Sequence, residues 1–197
     1  VSVGTYFRRG CFEYPRRRDG IYPMKNVTVA RGWLEQYDSL LWGWLNADPV
    51  MNFDDTFSGG YRQFCNVLTN RGQRGQQYTV YGGPDASVVG FVGVETEVPG
   101  YAYKTGGVVI SPSHRGSGYA TAAVLAVIQD LLSVADTPNL RVSAELFKHN
   151  EPMRYVLHKC GFTEEGTHIG KTLQGGSPVD TVTYGLVVSS PQMTIGE

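Results

Sequence analysis

Cysteine is scarce in this 197-residue chain: Cys11, Cys65 and Cys160 are odd in number and widely spaced. That argues against a disulfide framework, and without a CxxC pair or a Cys/His cluster it argues against structural zinc as well. Net charge is nearly absent too, since 17 Lys and Arg against 18 Asp and Glu leave −1. Such a balance offers no electrostatic case for a nucleic-acid or membrane partner. The cluster Arg8, Arg9, Arg16, Arg17 and Arg18 is local and reads as a solvated arm. No apolar run approaches the roughly 18 residues that a membrane-spanning helix needs, and the first residues lack a signal-peptide core. The expectation is a cytoplasmic protein with an extended arm over 1–26, one folded domain over 27–189 and a tail over 190–197.

Glycine and hydrophobic periodicity are what the chain has in quantity. "NVTVARGW" (26–33) alternates and is β-branched, a strand pattern. Over 34–49, Leu34, Tyr37, Leu41, Trp44 and Leu45 recur at helical spacing up to Pro49. A second helix is expected over 58–72, with Tyr61, Phe64, Cys65 and Leu68 on one face and Gly72 as its stop. The period then drops to two in three segments, 76–82, 87–98 and 102–112, separated by Gly82-Gly83-Pro84-Asp85 and Pro99-Gly100. These predict an antiparallel meander. Ala120, Val124, Val127, Ile128 and Leu131 form an amphipathic stripe. A strand over 140–147, a helix over 150–160 capped by Asn150 and stopped by Gly161, and strands over 161–170 and 179–189 complete the order. The fold class is α+β, and the segment 102–147 predicts a right-handed crossover between parallel strands.

"SHRGSGYATAAV" (113–124) puts glycines, hydroxyls and one arginine where a helix begins, which is an anion-binding arrangement. It is not a nucleotide P-loop, because Gly170-Lys171-Thr172 lacks the required upstream glycine. Nor is it a dinucleotide fingerprint, since Thr121 stands where the third glycine belongs. It fits Arg/Gln-x-x-Gly-x-Gly/Ala as Arg115-Gly116-Ser117-Gly118-Tyr119-Ala120. "NEPMRYVLHKCGF" (150–162) carries Asn150, Lys159, Gly161 and Phe162 at the positions of a second motif, N-x-x-(A/S)-x-x-x-(Y/L)-x-K-x-G-F. On these two motifs and the element order, residues 27 to 188 resemble the GNAT superfamily of acetyl-CoA-dependent N-acyltransferases. "LLWGWLNADPVMNF" (40–53) is similar to a helix end in the branch of ribosomal-protein N-terminal alanine acetyltransferases.

The resemblance implies a central twisted mixed sheet with helices on both faces, acetyl-CoA as co-substrate, an amine acceptor, no metal, and a monomer or homodimer. It implies that the coenzyme's pyrophosphate lies on Arg115, Gly116, Ser117, Gly118, Tyr119 and Ala120, that Asn150 contacts the pantetheine arm, and that Lys159 belongs to the coenzyme-binding residues. That arm is expected along Val109, Ile110 and Ser111, with a main-chain N–H near Val109 polarising the thioester carbonyl. The acceptor is expected over the two early helices and the hairpin at 175–178. Early aromatics (Tyr37, Trp42, Trp44, Phe53, Phe57) are expected mainly in the core. Glu95, Glu97 and Glu145 are the candidates for a general base. His114 and His149 fall in turns and are expected at the surface, and His158 joins them as a group titrating near neutral pH. The chain departs from the family at the general acid: Leu157 stands where many members have Tyr, and Met153 where the alanine-acetyltransferase branch often has Ser. Tyr155 is two residues from Leu157, about 200° around the helix. The chain therefore reads as an N-acetyltransferase. A catalytically weak acyl-CoA-binding domain stays open, as does an acyltransferase with another thioester or a non-amine acceptor.

Overall fold

Alternating β-branched residues make "VTVAR" the edge strand β1, Val27–Arg31, and the switch to helical spacing follows at once. In this computed structural model, residues 26–32, 35–47 and 60–189 are described. The arm, the tail, Cys11, Phe53, Phe57 and residues 48–53 of the branch-like stretch lie outside them. The first helical segment is shorter than its pattern: a 3-10 turn, Glu35–Tyr37, leads into α1, Asp38–Asn46. The second is longer. α2 spans Gly60–Arg74, so Gly72 does not stop it, and the chain enters β2 directly at Gly75.

The meander follows as β2, Gly75–Gly82, β3, Ser87–Val98, and β4, Ala102–Ile110. Then come α3, Tyr119–Ser133, β5, Asn139–Phe147, and α4, Glu151–Lys159. β6, Thr163–Gln174, and β7, Ser177–Ser189, close the fold as one long hairpin. Its two-residue turn, Gly175-Gly176, has φ of 56° and 79°, which suits the mirror-image turns that glycine permits. The sheet order is β1-β2-β3-β4-β5-β7-β6, with β4 and β5 parallel and every other pair antiparallel. The mixed α+β architecture read from the element order is therefore observed.

Alternation along the strands sorts side chains onto two faces. On one, Val92, Tyr103, Val142, Leu146, Val182 and Tyr184 pack with Val124, Val127 and Leu131 of α3 and with Leu157 of α4. On the other, Phe91 packs with Leu41 of α1 and Phe64 of α2, with Trp42 and Trp44 half-buried beside them. Of the early aromatics within the described residues, Trp42 and Trp44 thus lie at the margin of the core, and Tyr37 is half-buried. α4 is set by local chemistry. The Asn150 side chain accepts from the Met153 N–H at 3.2 Å, Pro152 sits in the first turn, and Gly161 (φ 88°) ends it. No helix among the described residues is long and apolar enough to cross a membrane.

Candidate active site

The parallel pair β4–β5 opens in mid-strand. Its register runs only from Ala102 opposite Arg141 to Thr105 opposite Ala144. Beyond that, β4 stays with β3 as far as Gly90 opposite Ile110, and β5 stays with β7 as far as Phe147 opposite Thr181. Gly106 is the extra residue at the break: Gly107 pairs with Gly93 and Thr105 with Val94. Such a bulge bends one strand away from its neighbour. The result is a wedge between Gly106–Ile110 and Glu145–Phe147, lined by main chain that no strand occupies.

Which amides face the wedge follows from the antiparallel alternation. The Ser111 N–H donates to the Val89 carbonyl at 2.9 Å, so Ser111 and, two residues back, Val109 direct their main-chain groups to β3. Ile110 and Val108 direct theirs into the wedge. The Val109 N–H thus belongs to the β3 ladder, and the nearest amides directed into the wedge are those of Ile110 and Val108. Ser111 is buried, and its Oγ lies 2.6 Å from His114 Nδ1.

From Ile110 the chain passes through a 3-10 turn, Pro112–His114, into the glycine turn and α3. Gly116 (φ 69°) and the N-cap Gly118 (φ 86°) both take the left-handed conformation. A Cβ added at Gly116 would meet nothing within 4 Å, so the turn faces open space. The first bond closing α3 runs from the Ala122 N–H to the Gly118 carbonyl at 3.1 Å. The amides ahead of it, including that of Ala120, lack an intrahelical acceptor by the geometry of a helix start. Arg115 reaches back across the turn. Its Nε donates to the Ile110 carbonyl at 3.0 Å and its Nη2 to the Trp44 carbonyl at 3.5 Å. The guanidinium thus fastens the turn to the end of β4 and to α1. Tyr119 is buried with its ring edge-on to His114 at 5.2 Å between centroids. His114 is consequently half-buried rather than a surface group, whereas His149 is exposed and stacks on Phe147.

The carboxylates lie on the α1/α2 face of the sheet. Glu145 is the first residue of β5 past the paired segment, and its side chain is 15% exposed. Lys171 donates to Oε1 at 2.7 Å, Thr181 to Oε1 at 2.7 Å and Lys104 to Oε2 at 3.2 Å. Burial pushes the Glu145 carboxyl up, but the bonds from Lys171, Thr181 and Lys104 outweigh it and hold the group at about 2. In this arrangement Glu145 anchors two lysines. Glu95 lies on β3, half-buried and opposite Lys104 in the β3–β4 register. Glu97 is exposed, and Ser143 Oγ donates to its Oε2 at 3.1 Å.

On α4, Leu157 is fully buried in the core and Met153 half-buried against it. Tyr155 is 59% exposed, with the Lys159 ammonium 4.4 Å from its ring centroid. The Tyr155 ring therefore lies on the solvent side of α4, away from the buried Leu157. Asn150 spends its Oδ1 as the helix cap. Sequence reasoning missed Lys104 and Lys171 as members of the site. Lys171 drew notice only within the rejected Gly170-Lys171-Thr172, and nothing in a one-dimensional pattern brings it from β6 to a β5 carboxylate. Among the described residues no group of three or more His, Cys, Asp or Glu is arranged to hold a metal.

A family model described as an acetyltransferase (GNAT) domain matches residues 31–163. Comparison with curated proteins gives no match. Solved structures with a similar fold include spermidine N-acetyltransferase from Vibrio cholerae in complex with CoA and spermine, at TM-score 0.68 and 13% identity, covering 82% of this chain and 95% of that one. An acetyltransferase (GNAT family) from Bacillus anthracis superposes at TM-score 0.69 and 16% identity, covering 83% and 95%. At these identities the likeness is one of fold. Neither the family model nor these neighbours support the finer resemblance to the ribosomal-protein branch.

Proposed function

The chain belongs to the GNAT acetyltransferase family, and from that premise we propose that it transfers the acetyl group of acetyl-CoA to a primary amine by direct attack in a ternary complex. The observation that carries this reading is the wedge: β4 and β5 part after Thr105 and Ala144, and the β4 arm runs straight into a glycine turn at a helix N-terminus.

The residues present suit the coenzyme. The amides of Gly116, Ser117, Gly118 and Ala120 sit at the positive end of α3, where a pyrophosphate is stabilised by N–H groups and helix dipole together. Left-handed glycines and open space at Gly116 allow close approach. Arg115 holds this turn in register with Ile110 through its Nε. The main-chain groups of Val108 and the N–H of Ile110, whose carbonyl already accepts from Arg115, are available to an extended pantetheine arm, as a strand edge is to another strand. Asn150, with Oδ1 engaged in the cap, offers its NH2 toward the arm, and exposed Lys159 stands at the helix end. The bound coenzyme supplies an activated acetyl thioester. Among this chain's groups, the Ile110 N–H stabilises charge on the carbonyl oxygen and Glu95 takes the proton that the acceptor ammonium must lose.

A second reading, a coenzyme-binding domain with weak catalysis, is favoured by Leu157 and Met153, neither of which can donate a proton to the departing thiolate. Thiol release from acetyl-CoA over a panel of amines separates the two. Amine-dependent release is expected. Coenzyme binding without release on any amine would favour the second reading.

A further inference from the structure

Side chains as well as main chain govern how far β4 and β5 part. Their ladder ends at Thr105 opposite Ala144, and two side-chain bonds cross at that apex. Thr105 Oγ1 donates to the Ser143 carbonyl at 3.2 Å, which lies within the paired segment. Lys104 Nζ donates to Glu145 Oε2 at 3.2 Å, and Glu145 is one residue past it. This second bond therefore spans the mouth of the wedge, from one wall to the other.

Glu145 is gripped from its own side as well. Lys171 donates to Oε1 from β6 and Thr181 donates to the same oxygen from β7, each at 2.7 Å. β5, β7 and β6 are neighbours in the sheet, so these two bonds lie within a single wall. With Oε1 so held, the carboxylate is kept from swinging outward, and Oε2 is presented to Lys104 across the gap. The width of that gap matters to an extended ligand. A chain bonded to both walls needs them about 9–10 Å apart, two strand spacings, and a wider gap forfeits the bonds to one side.

Building on the transfer reading above, we propose that Lys104 and Glu145 are positioning residues whose ion pair clasps the two walls of the wedge at the width that fits the pantetheine arm. Glu145 is the fixed half of the clasp, braced by Lys171 and Thr181, and Lys104 is the half that closes on it. The pair acts through the spacing of the walls rather than on the reacting atoms. It follows that the two halves of the coenzyme depend on it unequally: the arm needs the clasp, whereas the pyrophosphate on the glycine turn does not.

The test titrates two ligands into wild type and Lys104→Met: acetyl-CoA, and 3′-phospho-ADP, the half of the coenzyme that carries the pyrophosphate without the arm. The variant should lose about tenfold in acetyl-CoA affinity, as fits one charge-assisted hydrogen bond, with its Kd for 3′-phospho-ADP unchanged. Lys104→Arg, which keeps the charge and a donor, should recover most of that loss. Glu165→Gln breaks the Arg141–Glu165 pair, which lies within the β5–β7–β6 wall, and should alter neither constant. Equal losses for both ligands in Lys104→Met would reduce the pair to general support of the fold and overturn the proposal. An unchanged acetyl-CoA Kd in that variant would overturn it too. A wild type that does not bind acetyl-CoA would overturn the transfer reading itself, and the clasp with it.

Discussion

Glu145 shows how environment decides what a carboxylate can do. Three donors surround it, and its folded-state value of about 2 lies below the ordinary 4.5. A depressed acid stabilises the fold above its unfolded value, so that contribution is complete above about pH 4.5 and fades as pH falls toward 2. Urea midpoints of Glu145→Gln measured against pH should therefore fall less steeply than the wild type's across that window, from a lower start at pH 7. An identical slope would mean that the three bonds do not bias its titration. Glu95 is the contrasting case, half-buried with a cross-strand lysine. Glu95→Gln is expected to lower kcat by about 100-fold or more, the typical worth of a positioned base, with the acetyl-CoA Kd unchanged. An unaltered kcat would remove Glu95 from the reaction.

At the scale of elements, the wedge depends on how β3 grips the diverging arm of β4. Gly90 lies opposite Ile110, and a Cβ there would fall 2.6 Å from the Val109 carbonyl oxygen. Gly90→Ala should destabilise the fold by about 1–3 kcal/mol, the usual cost of forced overpacking, and weaken acetyl-CoA binding because it displaces the Ile110 amide. Unchanged binding would argue that Ile110 does not line the cradle. The order and type of these elements were legible because periodicity, Pro-Gly turns and helix caps are local signals: β3 falls on its expected span, and Asn150 and Gly161 bound α4 as their chemistry requires. The glycine turn was legible for the same reason. Which amide faces the wedge was not, because it depends on the register against β3 and on a bulge at Gly106, and both are settled by pairing between distant segments. The same holds for Arg115, whose charge is visible in the sequence but whose attachment to Ile110 and Trp44 is not.

At the scale of the whole molecule, one sheet separates a core from a chemical face. α3 and α4 bury the apolar side, with Leu157 fully enclosed there. Leu157→Ala should accordingly cost about 2–5 kcal/mol of stability, as expected for a buried leucine, without the selective loss of kcat that removal of a proton donor would cause. The opposite face carries Glu95, Lys104, Glu145 and Lys171, and the wedge joins the two sides where the coenzyme's thioester would meet an acceptor. The coenzyme's place in the glycine turn is the claim on which the rest depends. The most direct measurement is calorimetric titration of acetyl-CoA into wild type and Ser117→Asp, alongside thermal unfolding of both. Ser117 is exposed and precedes the N-cap of α3, so an added carboxylate there favours the helix dipole while opposing a bound pyrophosphate. The wild type should bind, and the variant should keep or raise its Tm while losing at least about tenfold in affinity. A wild type that does not bind acetyl-CoA, or a variant that binds it equally well, would contradict the assignment of the glycine turn as the coenzyme's cradle.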